Sequence, residues 1–418
     1  MLLFSVWTKY LTQYAIRNTQ YAIRNTEYAI YHAFWDATMT PQLFDQHNLT
    51  AVKWPTSEDG EYARRYLSSF ILNGPQTYIR NVRTTLLVLH LGDIILPITL
   101  ADYHPDNSYV CSPYNHYITY GQEEFVNLKN PPLEALLGLL FVPIAWYFRR
   151  NELDRVVFVN NWLLSTNLYP AIQADQITAS LTFLAEQYPE RAIVFRSVDH
   201  YRNPTLYNTL LKEGCRMVFS RQVYYQEVES AYVQKKKQYK IDLKHFQRTF
   251  YRVVDGSQLR DDDSIERIVD LYNDLYLRKY SYYNPQFTPA FIRLALDEQL
   301  LTIKAFQKEG RIDAVMGYFA RQGTITPPIF GYDTSLAKKL GLYRLLSTLT
   351  SLEALEKKQL VHFSAGVGQF KRLRGGMPAL EYNAVYDAHL PAARRRAWTV
   401  LKGLMDRVAV PIIQKYGF

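Results

Sequence analysis

Cysteine is nearly absent, with only Cys111 and Cys215 in 418 residues. Two isolated thiols supply neither a disulfide framework nor the paired spacing of a zinc site, which points to a reducing, cytoplasmic setting and no metal. Long apolar runs are missing as well. The nearest, Leu133 to Phe148, is 16 residues long and contains Glu134 and Pro143. A membrane span needs about 20 apolar residues, so this segment reads as a buried or groove-lining helix, with peripheral membrane contact as the alternative. No Walker A loop, His-Glu-x-x-His, Cys-x-x-Cys or Gly-x-Ser-x-Gly occurs, so the commonest phosphate-loop, zinc-peptidase and serine-hydrolase signatures are absent. The Gly-Val-Gly of Gly366 to Gly368 lacks the third glycine and the downstream acid of a dinucleotide fingerprint.

Apolar residues, at 48% of the chain and 15% aromatic, suffice for two cores of ordinary size. A net charge of +9, from 48 basic and 39 acidic side chains, suits a polyphosphate cofactor, a nucleic acid or a membrane surface. Near the N-terminus TQYAIRN occurs twice without change (Thr12 to Asn18, Thr19 to Asn25), followed by TEYAI. So strict a repeat, with no coiled-coil seam and no signal-peptide order, reads as translated tandem-repeat DNA, with Met39 as the initiator. Residues 1–38 are therefore expected to be a disordered or mis-assigned leader.

From Val52 the pattern is mixed α/β, twice over. Strands TLLVLHL and IILPITLA flank Gly92–Asp93; Arg155 to Leu164 is a strand, Ala174 to Tyr188 an amphipathic helix, and AIVFRSV, a helix over Asn203–Lys212 and MVFSRQVYYQEV complete the unit. The second half repeats the order: helices at Ile265–Tyr280 and Pro289–Gln299, a hairpin across Glu309–Gly310, the strand TPPIFGYD, and a helix from Gly341 to Lys357. LVHFSA, a helical turn at Gln369–Leu373, ALEYNAVYDA and a basic helix from Pro391, kinked near Pro411, end the chain. The expected division is 39–234, a basic helical linker at 235–254, and 255–418, two halves alike in element order.

The last quarter carries the sharpest signal. The apolar run ending at Asp333 leads through Lys338, Lys339 and Leu340 to Gly341, where a leucine-striped helix begins at once. A basic turn before a helix N-terminus is an anion site, because unbonded amides and the helix dipole both face it. This element order and turn resemble the GNAT superfamily of acyl-CoA N-acyltransferases, in the tandem branch of the Fem aminoacyl transferases and the BioF-like and CelD-like acetyltransferase domains. The resemblance is specific over about residues 255–390 and looser over about 60–230. The family's pyrophosphate loop, Gln/Arg-x-x-Gly-x-Gly/Ala, falls here on Lys338 to Tyr343, keeping only the central glycine. It implies acyl-CoA, acetyl-CoA above all, held by the backbone of Leu340, Gly341, Leu342, Tyr343 and Arg344, with Lys338, Lys339 and Phe330 beside it. The stretch LVHFSAGVGQFKRLRGG matches the branch in its aromatic, its glycine pair and Lys371, while Phe370 stands where many members carry the tyrosine that protonates the thiolate. In the first half NPTLYNTLLKEGC is similar to the superfamily's closing motif, but its fourth strand has no basic turn. That half therefore reads as shaping the substrate.

Acyl transfer to an amine needs a base, donors for the oxyanion and a proton for the leaving sulfur. The resemblance places the donors in the strand around Phe330 to Tyr332, with Tyr332, Asp333 and His362 as the catalytic candidates. Duller readings stand beside these: Asp333 as a turn or cap residue, His362 as a core histidine, Tyr332 as packing. The acceptor would be a small-molecule or cell-wall-precursor amine. The Lys235–Arg248 run and Arg394 to Arg396 also admit a Fem-like aminoacyl-tRNA donor. A third reading is a catalytically silent binding protein or scaffold.

Overall fold

A computed structural model describes residues 40–123 and 131–416; the repeated leader and Met39 lie outside the described residues. Twelve strands form one sheet: β1 (Gln42–Phe44), β2 (Thr85–Leu91), β3 (Ile94–Ala101), β4 (Val156–Val159), β5 (Ala192–Asp199), β6 (Arg216–Gln226), β7 (Arg252–Asp255), β8 (Thr302–Lys308), β9 (Arg311–Arg321), β10 (Thr324–Tyr332), β11 (Leu360–His362) and β12 (Met377–Tyr386). Their order is β1-β2-β3-β4-β5-β12-β6-β11-β10-β9-β8-β7. The chain is thus a mixed α/β protein with one parallel pair in each half, β4 with β5 and β10 with β11.

The centre of the sheet departs from a simple repeat. β12, the last strand, inserts between β5 and β6 and runs antiparallel to both. β6 in turn pairs with β11 of the second half. Strands of 10 and 11 residues would leave long unpaired edges in separate sheets. The exchange buries them and leaves only β1 and β7 at the rims. The linker expected at 235–254 contains the helix Lys237–Gln247 and most of β7, and β12, beyond it in sequence, pairs with β5 and β6 before it.

The helices mentioned below are α1 (Glu58–Asn73), α2 (Pro131–Arg150), α3 (Ala174–Gln187), α4 (Pro204–Lys212), α5 (Lys237–Gln247), α6 (Asp262–Asn273), α7 (Pro289–Asp297), α8 (Leu342–Glu356), α9 (Gly368–Arg372) and α10 (Ala392–Leu404). Among the described residues no helix is long and apolar enough to cross a membrane. Pro143 lies inside α2, which buries Phe148 and exposes Leu139, Val142 and Trp146. One core is shared by both halves: Tyr66, Phe70 and Trp162 cluster with Phe287, Phe291 and Phe319. Arg321 lies 4.3 Å from the Trp162 ring and pairs with Asp59, which fastens β9 to α1.

β10 carries two consecutive prolines, Pro327 and Pro328, and its register with β9 shifts between Thr326 and Ile329. Two missing N–H groups in a row remove a donor on each side of the strand. β10 pairs with β11 only at Thr324 and Ile325, and from there the two strands part. Gly331 follows, where α6 crosses so closely that a Cβ would lie 2.5 Å from the Leu271 carbonyl carbon. That neighbour is backbone and cannot swing away. Gly331→Ala is expected to lower stability by about 3 kcal/mol, at the upper end of overpacking costs, read from the urea midpoint of the full chain.

Candidate functional site

α8 starts where the glycine predicts. Gly341 has φ +66°, a left-handed backbone that disfavours a side chain, and a Cβ there would lie 2.8 Å from the His245 ring nitrogen. His245, from α5, bonds the Leu340 carbonyl at 3.0 Å and braces the turn. Among the described residues no side chain caps α8. The amides of Leu342, Tyr343 and Arg344 have no acceptor among the described residues, and Lys338 and Lys339 are exposed beside them. Leu342, Leu345, Leu346 and Leu349 are buried in the core below, which fixes the helix tip. Unbonded amides, a positive helix end and two free cations make this a place where a phosphate is stabilised.

The other candidates fall into two groups. Phe330 is buried, with Tyr343 edge-on at 5.3 Å; Tyr332 is 6.1 Å from the same ring and Phe370 5.0 Å. These four aromatics pack together next to the helix tip. The Tyr332 hydroxyl makes no hydrogen bond within the described residues. Asp333 is already engaged: Arg267 of α6 donates to it at 2.7 Å, and the Ser335 amide at 3.0 Å. Burial pushes the Asp333 carboxyl up, but the Ser335 and Arg267 contacts outweigh it and leave it below the ordinary range. Arg344 turns away to Asp242 of α5, which also holds Arg374.

His362 and Lys371 lie elsewhere. The His362 Nδ1 accepts from the Ser364 amide at 3.0 Å, so its hydrogen sits on Nε2, 3.8 Å from Glu381. Burial, then the Arg221 charge, lowers its pKa to about 3. With one nitrogen bonded and the other protonated, the ring is set up as a structural donor. Lys371 is buried and donates to three carbonyls, of Phe363 (2.7 Å), Ser364 (3.1 Å) and Ala365 (2.7 Å). All three of its hydrogens are spent on that loop, so the expected phosphate contact has no donor left. Among the described residues no group of His, Cys, Asp and Glu could hold a metal.

Sequence reasoning missed a second polar centre, where β5, β12, β6 and β11 meet. Arg221 of β6 grips Glu381 of β12 through Nε at 2.8 Å and Nη2 at 3.3 Å, and reaches Ser364 and Thr166 at 3.0 Å each. Arg196 of β5 is buried beside them and bonds Asn161 Oδ1 at 2.6 Å. Tyr109, His116, Ser165, Ser197, Ser220 and Asn383 close a small cavity around the two guanidinium groups. Four non-glycine residues with left-handed backbone lie around it: Asn160 (φ 58°), Leu163 (60°), Ser197 (56°) and Ser364 (56°). Such strain collects at functional sites more often than elsewhere. Tyr276 packs against both the shared core and the core beneath α8.

No family profile matches the sequence, and no curated protein matches it. Solved structures similar to it include the C-terminal domain of a putative lysylphosphatidylglycerol synthetase from Agrobacterium fabrum, at 13% identity and TM-score 0.40 over 56% of this chain and 77% of that one. FemX aligns at 6% identity and TM-score 0.42 over 55% and 78%. A conserved protein of unknown function from Bacteroides thetaiotaomicron aligns at 11% and 0.45 over 83% and 99%.

Proposed function

We propose that the chain is an N-acyltransferase that moves an acyl group from acyl-CoA to an amine. The observation that carries this is the uncapped tip of α8, with three unbonded amides beside Lys338 and Lys339 at the parting of β10 and β11. The diphosphate would rest on those amides, with the pantetheine arm entering between the strands. The neutral amine nitrogen attacks the thioester carbonyl, the C–S bond breaks, the thiolate takes a proton from an acid, and the proton that the nitrogen sheds restores that acid through solvent. Tyr332, whose hydroxyl has no partner among the described residues, is the donor in this reading. Asp333 accepts a hydrogen bond from the incoming amine, and its lowered proton affinity suits orientation better than proton removal.

Calorimetry with acetyl-CoA tests the reading. Saturable binding is expected, and Lys338→Glu/Lys339→Glu should weaken it about 100-fold, since charge-assisted phosphate contacts are worth ~1.5–3 kcal/mol each. Tyr332→Phe should lower kcat and leave that binding intact. Absence of binding at millimolar acetyl-CoA would overturn the acyl-CoA reading.

One feature favours a Fem-like donor as the second reading. A groove of about 550 Å³ between α5 and α9 is lined by Tyr232, Lys236, Lys237, Arg372 and Leu373. Cations around an exposed ring suit a single-stranded nucleic acid end, stacked and charge-neutralised. RNA binding that falls steeply with salt, without acetyl-CoA binding, would select this reading.

A further inference from the structure

α2 and α10 cover the same face of the sheet. Side chains alternate along β4 and β5, and Val156, Phe158, Ala192 and Val194 enter one core with Phe148 of α2 and Trp398 and Leu401 of α10. Val157, Val159, Ile193 and Phe195 go to the opposite core. On its outer side α2 keeps an apolar stripe in solvent. Leu139, Val142 and Trp146 are 72%, 62% and 67% exposed. With Pro143 they recur at intervals of three and four and so share one helix face. Arg149 and Arg150 continue that face at its C-terminal end, both exposed, and the Arg149 guanidinium stands 3.5 Å over the Tyr103 ring. Among the described tryptophans only Trp146 is exposed. α10 and the helical chain that continues it to Tyr416 add exposed Val400, Val408 and Ile412. From Pro391 to Tyr416 six basic residues stand against one acid, Asp406. Arg395, Arg396 and Arg407 are exposed there and form no ion pair among the described residues.

We propose that this side of the molecule docks on an anionic lipid surface, with the Leu139, Val142 and Trp146 stripe in the interface and the arginines of α2 and α10 on the headgroups. An apolar stripe that ends in tryptophan and arginine is the pattern of a helix lying in the plane of a bilayer surface. The unpaired cations select an anionic surface over a neutral one, since each gains from the negative potential there. A second copy of the chain fits this face less well. A stable protein interface takes roughly 20–30 residues a side, and two copies meeting here would bring the same arginines against each other. The acyl-CoA reading plays no part in this assignment.

The test is co-sedimentation of the full chain with lipid vesicles, without acyl-CoA. Equimolar phosphatidylglycerol and phosphatidylcholine should pellet the protein saturably. Phosphatidylcholine alone should do so at least about tenfold more weakly, and molar salt should release most of the protein by screening the charges. Leu139→Gln/Val142→Gln/Trp146→Gln should weaken binding at least about tenfold and leave the melting temperature unchanged, because solvent already surrounds those side chains. Arg150→Glu/Arg395→Glu/Arg396→Glu should weaken it at least about tenfold and remove most of the salt dependence. Brominated lipid should quench part of the tryptophan emission of the wild type and lose that effect on Trp146→Phe, which carries the test if the glutamine variant fails to fold. Equal binding to neutral vesicles, binding retained in the glutamine variant, or quenching that persists in Trp146→Phe would overturn the proposal. Absence of vesicle binding would overturn it too, and a dimer in light scattering that the glutamine variant dissociates would then assign the face to a second copy. None of these readouts involves acetyl-CoA, so failure here and failure of the transferase reading are separate results.

Discussion

Glu381→Gln is expected to destabilise the protein by about 3–5 kcal/mol, the cost of breaking a buried ion pair from one side. Glu381 is 3% exposed and takes two bonds from Arg221. The amide that replaces it keeps the shape and loses the charge, leaving Arg196 and Arg221 on one cavity with no acid between them. Chemical denaturation of the full chain should show a lower midpoint with an unchanged slope, since the surface exposed on unfolding stays the same. Removing both partners, as Arg221→Met/Glu381→Leu, should return most of the loss, because desolvation of the charges disappears with them. A Glu381→Gln cost below about 1 kcal/mol would mean that the pair behaves as a solvated one.

The two centres differed in how far the sequence exposed them. The helix tip was legible because every signal is local: a glycine after two lysines, then Leu342, Leu345, Leu346 and Leu349 on one face. The cavity was not, because Arg196, Arg221 and Glu381 lie in three separate strands far apart in the chain. Only the insertion of β12 between β5 and β6 brings them together, and strand partners chosen across the chain leave no local pattern. The one available hint was a single arginine inside AIVFRSV. Similarly, Arg155 to Leu164 reads as one apolar strand, yet β4 stops at Val159. Asn160 and Leu163 turn left-handed there, and Trp162 and Leu164 are buried in the shared core instead of in the sheet. The apolar pattern reported burial correctly and conformation wrongly.

The buried histidines set a second large expectation, a loss of stability in mild acid. Burial, reinforced by Arg196 and Arg221 at His116 and by Arg221 at His362, lowers both pKa values to about 3. In the unfolded chain each imidazole titrates near ~6.5. Between these values the unfolded state binds a proton that the folded state refuses, so stability falls as pH drops below about 6.5 and levels off near 3. From pH 7 to pH 4 the linkage amounts to about 3 kcal/mol for each histidine. Asp154 works the other way. Burial raises its carboxyl to about 6, against bonds from Ser112 and the Tyr114 amide, so the folded state takes up a proton before the unfolded one as pH falls from 6 towards 4. That returns about 2 kcal/mol over the same interval, and Asp199, also raised by burial, acts in the same direction, so the histidine loss is partly offset. Urea midpoints from pH 7 to pH 4 should trace this slope, and His362→Gln should remove nearly half of the histidine contribution. A profile that stays flat across that range would place the imidazoles in contact with solvent and remove the physical basis for a dry interior around Arg196.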